Sequence, residues 1–325
     1  MAPAVRWGIL STADINRKLI PSAHASPKVD LLAVASRDEG RAEAYAREWQ
    51  IERAYGSYDE LLADPDIEAV YIPLPNTMHA EWSIKALDAG KHVLCEKPFS
   101  RHVDEVEASF DAGERNDRLL SEAFMYRHNP QSARVRELIE DGAIGELRLV
   151  RSAFSYGLYD ADNIRLRTDV EGGALMDVGS YCVSGSRLLS GEPESVYGSA
   201  WFGETGTDWV FTASMRFPDG VLATFDCGTA LSERYELEAI GSEGSLFLDD
   251  PWHCNVPVIE VRRADGTERI ELEPVDSYRL ELENVSDAIR GEGELLLGRE
   301  DAVAQARAVE ALHDSATSGK PVSLR

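Results

Sequence analysis

From Val5 to Ala123 the chain alternates short apolar runs with longer stretches of helical period. Val5–Leu10, Leu31–Ala35, Ala69–Pro73, the run from His92 that ends in Glu96-Lys97-Pro98, and Leu119–Ala123 read as strands. Helices are predicted from the first turn through about His24, from Glu39 to Trp49, and from His79 to Ala89, where Gly90 stops the last of them. Strands and helices in alternation predict a parallel sheet with right-handed crossovers. After Phe124 the texture changes. A helix over Pro130–Asp141 leads to a strand at Leu147–Ser152. Alternating segments follow at Ser195–Trp201, Phe211–Phe217, Leu222–Cys227, Tyr235–Ile240, Ser245–Leu248 and Val258–Arg262, separated by short Gly/Asp turns, which predicts a largely antiparallel sheet. A final helix over Arg299–Ser318 ends at Gly319.

The expected class is α/β, a doubly wound parallel sheet followed by a domain built on a large open sheet. At 325 residues two domains are the default, here 1–123 and 124–325, with the last helix free to pack back on the first. Lys and Arg number 33 against 58 Asp and Glu, a net charge of −25, which argues against nucleic acid or an anionic membrane as partner. Such acidity suits either a high-salt cytoplasm or an ordinary solvated surface. Four cysteines without a C-x-x-C pair read as reduced thiols in a cytoplasmic protein. No apolar run approaches the ~18 residues of a membrane span, and no histidine spacing suggests a metal site.

Two segments carry chemistry. Lys97 ends a strand, where an open α/β sheet keeps its ligand crevice. In Gly172-Gly173-Ala174-Leu175-Met176-Asp177-Val178-Gly179-Ser180-Tyr181 the aspartate and tyrosine lie four residues apart and can share a helix face. The turn after the first strand, Ser11-Thr12-Ala13-Asp14-Ile15-Asn16, stands where a dinucleotide fold places G-x-G-x-x-G. Ser11, Ala13 and Asn16 replace the glycines, yet small residues still let main chain approach a pyrophosphate, as Thr12 and Ile15 lead into a helix N-terminus. Asp14 is compatible with phosphate only if it points outward. At the end of the second strand Ser36-Arg37 holds the place where an acid would bind an NAD ribose and an arginine the 2′-phosphate of NADP. Arg37 therefore favours NADP, with NAD possible and a surface pair with Asp38 or Glu39 as the alternative.

With these motifs in place the chain resembles the glucose–fructose oxidoreductase / inositol dehydrogenase / MocA family. The resemblance extends over nearly the whole length. It includes Pro75-Asn76-Thr77-Met78-His79, Ala89-Gly90-Lys91-His92-Val93 and Glu122-Ala123-Phe124-Met125-Tyr126-Arg127. It implies an N-terminal Rossmann domain that binds NAD(P), and a C-terminal α/β domain whose sheet covers the active site and forms a homodimer or homotetramer. Tyr181, where many members carry histidine, resembles the branch of dimeric dihydrodiol dehydrogenase and NADP-dependent D-xylose 1-dehydrogenase. The glycine-poor loop departs from the family's general pattern.

The resemblance makes Pro73, Leu74, Asn76, His79, Glu96, Lys97 and Arg127 cofactor contacts, beside Ser11, Thr12, Ala13, Ile15, Ser36 and Arg37. His79 reads equally as a helix start, and Arg127 as an ion pair. Oxidising a carbinol needs a base for the hydroxyl proton. A free tyrosine titrates near ~10, and a nearby ammonium favours its phenolate. Tyr181 is thus the expected acid/base, Lys97 its partner, and Asp177 the orienting carboxylate. Phe154 to Arg167, with Tyr156, Tyr159, Asp160 and Ile164 among them, mixes aromatic and polar groups as sugar sites do; Phe154, Asn163 and Arg165 are its candidate substrate contacts. The expected activity is hydride transfer between nicotinamide and a sugar or cyclic polyol, such as aldose oxidation at C1. Ketosugar reduction, trans-dihydrodiol oxidation and non-catalytic nucleotide sensing are the alternatives.

Overall fold

The computed structural model describes residues 2–158, 160 and 163–325; Tyr159 lies outside the described residues. The chain divides into two compact units, Met1–His128 with Asp276–Val303, and Asn129–Val275 with Ala304–Arg325. A sequence boundary near residue 124 therefore omits a return of the chain to the first unit.

The first unit runs β1 (Val5–Leu10), α1 (Asn16–Ala25), β2 (Val29–Ala35), α2 (Glu39–Trp49), β3 (Arg53–Tyr55), α3 (Tyr58–Ala63), β4 (Ala69–Ile72), α4 (His79–Asp88), β5 (His92–Glu96), α5 (Val103–Asn116) and β6 (Leu120–Ala123). Its six strands are parallel in the order β3-β2-β1-β4-β5-β6. This is the doubly wound order, with the topological switch between β1 and β4. Val5, Trp7, Ile9, Val34, Tyr71 and Leu94 are buried, as strands covered on both faces must be. The sequence pattern omitted β3, α3 and α5. β3 has three half-buried residues and no apolar run to announce it.

The second unit holds α6 (Pro130–Glu140), β7 (Leu147–Gly157), α7 (Ser180–Ser190), β8 (Ser195–Phe202), β9 (Asp208–Arg216), β10 (Leu222–Gly228), β11 (Ala230–Gly241), β12 (Ser245–Asp249), β13 (Val258–Arg263) and β14 (Gly266–Glu271). With the short C-terminal strand β15 (Val322–Ser323) they form a nine-stranded sheet, β14-β13-β12-β11-β7-β10-β9-β8-β15. All neighbours are antiparallel except β7 and β10. The edge strand β14, Gly-Thr-Glu-Arg-Ile-Glu, was absent from the sequence reading. It is almost wholly exposed, and polar edges discourage strand addition.

α8 (Ser277–Arg290), also missed, lies in the first unit, and α9 (Arg299–Ser318) crosses the unit boundary. Asp276 caps α8 by accepting from the N–H groups of Tyr278 and Arg279. Its inward face carries Leu282 and Val285 but also Ser277, Glu281 and Ser286, so no clean apolar stripe marks it. Polar contacts compensate. Trp7 Nε1 donates to Ser286 Oγ at 3.2 Å, Lys28 pairs with Asp287 at 2.7 Å, and Arg290 grips Glu68 through two nitrogens at 2.8 and 2.9 Å. No helix among the described residues is long and apolar enough to cross a membrane.

Candidate active site

At the switch point, Ser11 adopts φ 140°, a backbone region that favours glycine and so explains why fingerprints place one there. Its hydroxyl donates to the Pro73 carbonyl at 3.1 Å and accepts from Ala13 N–H at 3.2 Å, joining the loops after β1 and β4. Asn16 Nδ2 donates to the Ser11 carbonyl at 2.9 Å, so the asparagine braces the turn from inside. Thr12, Ala13 and Ile15 are half-buried, whereas Asp14 points outward, 94% exposed and paired with Arg17 at 2.9 Å. The turn can therefore accept an anion beside its main chain.

At the end of β2 Ser36 is buried and Asp38 caps α2, accepting from Arg41 N–H at 2.7 Å. Asp38 thereby serves the helix. Arg37 is exposed, and among the described residues it pairs with no carboxylate, contrary to the surface-pair alternative. These positions fit a dinucleotide with an extra phosphate on its ribose.

Lys97 stands half-buried one residue beyond β5. The Lys97–Pro98 peptide is cis. Glu96 accepts from Tyr71 Oη at 2.5 Å through one oxygen and from Lys97 N–H at 3.2 Å through the other. Burial, then the Glu96 charge, holds the Tyr71 phenol far above its ordinary range. The same two causes keep the Glu281 carboxyl, on α8 and 1% exposed, protonated well above a usual glutamate. Neither Tyr71 nor Glu281 was singled out from sequence. A hydroxyl inside the apolar run Val70-Tyr71-Ile72 was the available signal, since a buried phenol must find a partner.

His79 begins α4 and is buried, with Nδ1 2.9 Å from the Pro98 carbonyl and Nε2 2.7 Å from that of Leu74. Burial pushes its pKa down. A neutral ring has one N–H and donates to one of these carbonyls, so the residue packs the loop after β4 against the segment after Lys97. Asn76 opens the single 3₁₀ turn ahead of it. Arg127 pairs with Asp301 at 3.3 Å, both largely buried.

In the second unit Gly172-Gly173 has a steric cause. A Cβ on Gly173, which sits at φ 131°, would lie 1.9 Å from Asp208 Oδ1. That carboxylate accepts from Leu175 N–H at 2.7 Å and caps the helical segment that follows. Leu175–Gly179 is a π-helical turn that runs into α7. Asp177 therefore lies on a wider turn than the predicted α-helix, and Tyr181 in the first turn of α7. Asp177 accepts from Tyr156 Oη at 2.5 Å and pairs with Arg165 Nε at 3.3 Å. Burial, then Asp177, pushes the Tyr156 phenol up. Asn163 accepts from Arg165 N–H at 3.0 Å, so its oxygen shapes the arginine's turn.

Tyr181 is 9% exposed and rests on two rings, Phe154 at 5.3 Å and Trp252 at 6.0 Å between centroids. Phe154 lies parallel to Trp252 at 6.2 Å and meets Tyr235 and His253 edge-on. Phe154 is thus the centre of an aromatic wall. Trp252, Tyr235 and His253 were missed because β11 and the loop after β12 join β7 only through the sheet. The arrangement gives Tyr181 a dry flank and Asp177 a fixed direction.

Residues 5–124 match the model of the oxidoreductase family with an NAD-binding Rossmann fold, and residues 132–247 match the GFO/IDH/MocA C-terminal domain. D-xylose 1-dehydrogenase (NADP(+)) 2 of Haloferax volcanii is 39% identical, over 98% of this chain and 99% of its own. A dTDP-3,4-didehydro-2,6-dideoxy-alpha-D-glucose 3-reductase of Streptomyces violaceoruber is 36% identical over 90% and 87%. The crystal structure of a 3-ketoreductase from Actinomadura kijaniata, in complex with NADP and TDP-benzene, superimposes with a TM-score of 0.91 at 31% identity, covering 96% of this chain and 98% of that one. Variants of that ketoreductase with a lysine or a tyrosine replaced have also been solved.

Proposed function

The chain belongs to the GFO/IDH/MocA family of oxidoreductases, and from that premise we propose that it interconverts an alcohol and a carbonyl on a sugar or cyclic polyol, using NADP. The observation that carries the substrate class is the grouping of polar and aromatic residues in the second unit: Asp177 anchored by Tyr156 and Arg165, and Tyr181 resting on Phe154 and Trp252. Sugars present both an apolar C–H face and hydroxyls. The xylose dehydrogenase at 39% identity supports aldose oxidation at C1.

A nicotinamide bound by the first unit would accept or give the hydride. Tyr181 takes the hydroxyl proton as the alcohol is oxidised and returns it in the reverse direction. Lys97 favours the phenolate and hydrogen-bonds the substrate oxygen, while Asp177 orients the substrate. Unpaired Arg37 holds the 2′-phosphate; Ser11, Thr12, Ala13, Ile15, Ser36, Pro73, Leu74, Asn76 and Glu96 line the cofactor's path, with Arg127 near the nicotinamide end. Phe154, Asn163 and Arg165 belong to the substrate side.

Absorbance of reduced nicotinamide, with a panel of aldoses, inositols and dihydrodiols against NADP and NAD, tests the reading. NADP-linked turnover of an aldose is expected, and turnover of none of the panel would overturn it. Ketosugar reduction is the second reading, favoured by the dTDP-sugar reductases at 33–36% identity. A dTDP-ketosugar consumed with NADPH distinguishes it. A homodimer or homotetramer through the sheet is part of the proposal. Tyr197, Trp201 and Leu222 stand exposed on one face of β8 and β10, and Trp201→Glu is expected to shift the mass in light scattering to the monomer.

A further inference from the structure

The segment after β12 reads Asp250-Pro251-Trp252-His253-Cys254-Asn255. Asp250 and Cys254 both have positive φ, 48° and 58°, so the chain folds tightly back. One carboxylate organises the turn. Asp250 accepts from His253 N–H at 3.3 Å, from His253 Nδ1 at 2.7 Å and from Asn255 Nδ2 at 2.8 Å, while its own N–H donates to the Tyr235 carbonyl at 2.7 Å. The turn drives Trp252 inward, where Nε1 donates to the Ala153 carbonyl at 2.8 Å. It leaves the neighbouring His253 side chain 46% exposed. The imidazole stands edge-on to Phe154 at 5.3 Å and to Tyr235 at 4.9 Å. Phe154 is the same 5.3 Å from Tyr181. Two polar tips, Tyr181 and His253, therefore flank one buried ring.

We propose that His253 is a substrate-binding residue that sets specificity, its Nε2 hydrogen-bonding a hydroxyl remote from the carbon whose oxygen meets Tyr181. The inference rests on the Tyr181 reading above. Because a carboxylate only accepts, Nδ1 carries the proton that faces Asp250, and Nε2 is left to hydrogen-bond a hydroxyl, which can accept or donate. Asp250 and the two ring edges hold the imidazole's direction before substrate arrives, so binding loses little side-chain freedom. An exposed imidazole–carboxylate pair contributes little to stability, so the arrangement is better explained by what its free edge meets. The ligand class that fits is a polyhydroxylated ring, its apolar face towards half-buried Tyr235 and a distal hydroxyl on His253.

The test uses the full-length protein with NADP and the best substrate of the aldose and inositol panel. His253→Ala is expected to raise KM for that substrate about tenfold, the loss of one hydrogen bond, with kcat within about twofold and KM for NADP unchanged. His253→Gln, whose amide reaches the place of Nε2, is expected to restore most of the affinity. An unchanged substrate KM, or a fall in kcat alone, overturns the proposal. Binding is read independently from the His253 Cε1–H proton resonance, assigned by its loss in His253→Ala. The signal is expected to shift when D-xylose or myo-inositol is added with NADPH. If no panel member is turned over, the sugar-oxidising reading has failed and the resonance decides: a shift keeps His253 as a sugar contact, and no shift overturns it.

Discussion

The two units hold their functional side chains by different means. In the first unit the anchors are largely main chain: Ser11 bonds the Pro73 carbonyl, His79 lies between the carbonyls of Leu74 and Pro98, and Glu96 receives the N–H of Lys97. In the second, side chains from separate strands and turns hold one another, with Asp177 between Tyr156 and Arg165, and Tyr181 on Phe154 and Trp252. Main-chain anchors follow from strand order and tolerate varied side chains, which is how a turn without glycines keeps its shape. Side-chain anchors depend on each partner. Substitutions should therefore act over short distances in the first unit and spread through partners in the second.

The largest effect is expected at the proposed relay. Tyr181→Phe keeps the ring against Phe154 and Trp252 and should lower kcat by about 10²–10⁴-fold, the usual range for a general acid–base group, without a change in melting temperature. Unaltered turnover would remove Tyr181 from the mechanism. Gly173→Ala sharpens the comparison from the structural side. It places a methyl against the Asp208 carboxylate at positive φ, and should cost about 2–4 kcal/mol in denaturant unfolding. Arg37→Ala should raise KM for NADP about 10–100-fold, the loss of a charged contact of about 1.5–3 kcal/mol, and leave NAD kinetics unaltered. A uniform loss with both cofactors would show that Arg37 does not read the 2′-phosphate.

The pH response belongs to the first unit, which holds His92, His128 and Glu281. Burial holds His92 and His128 at about 4, below the ordinary 6.5. His92 Nδ1 also accepts from Leu119 N–H, which requires that nitrogen to be unprotonated. The unfolded chain binds more protons than the folded one between these values. Stability should be complete above about 6.5 and fall as pH drops towards 4. His128→Gln should flatten that slope in urea titrations at a series of pH values. Glu281→Gln tests the opposite sign. A carboxyl that must take up a proton to fold costs stability above its ordinary range, and the amide does not, so melting at neutral pH should rise and the gain should vanish at about pH 4.

The same division explains what could be read without coordinates. The alternation from Val5 to Ala123 placed the parallel sheet, the phosphate turn and the strand-end lysine, because each is a local consequence of strand, turn and helix. α8 escaped because Ser277, Glu281 and Ser286 share its inward face with Leu282 and Val285. Asp177 and Tyr181 were legible as a spacing, but the partners of Asp177 were not. Tyr156 and Arg165 stood only among a mixed aromatic and polar stretch, and nothing local says which of them reaches a carboxylate. Trp252 and His253 were silent for the same reason, since they approach Phe154 through strand pairing across β11 and β7.

The π-helical turn at Leu175–Gly179 makes chain length itself a control on the site. Such a turn holds one residue more than an α-helical turn. Removing one residue would let α7 extend backwards as regular helix, and would rotate everything before it by about 100° about the axis. Gly173 and Asp208 pin the segment at one end, so that rotation would fall on Asp177. A single-codon deletion in this stretch, with no catalytic side chain altered, would turn the aspartate away from Tyr156 and Arg165. In this part of the molecule insertions and deletions, more than substitutions, are the changes by which one scaffold could be re-aimed at a different substrate.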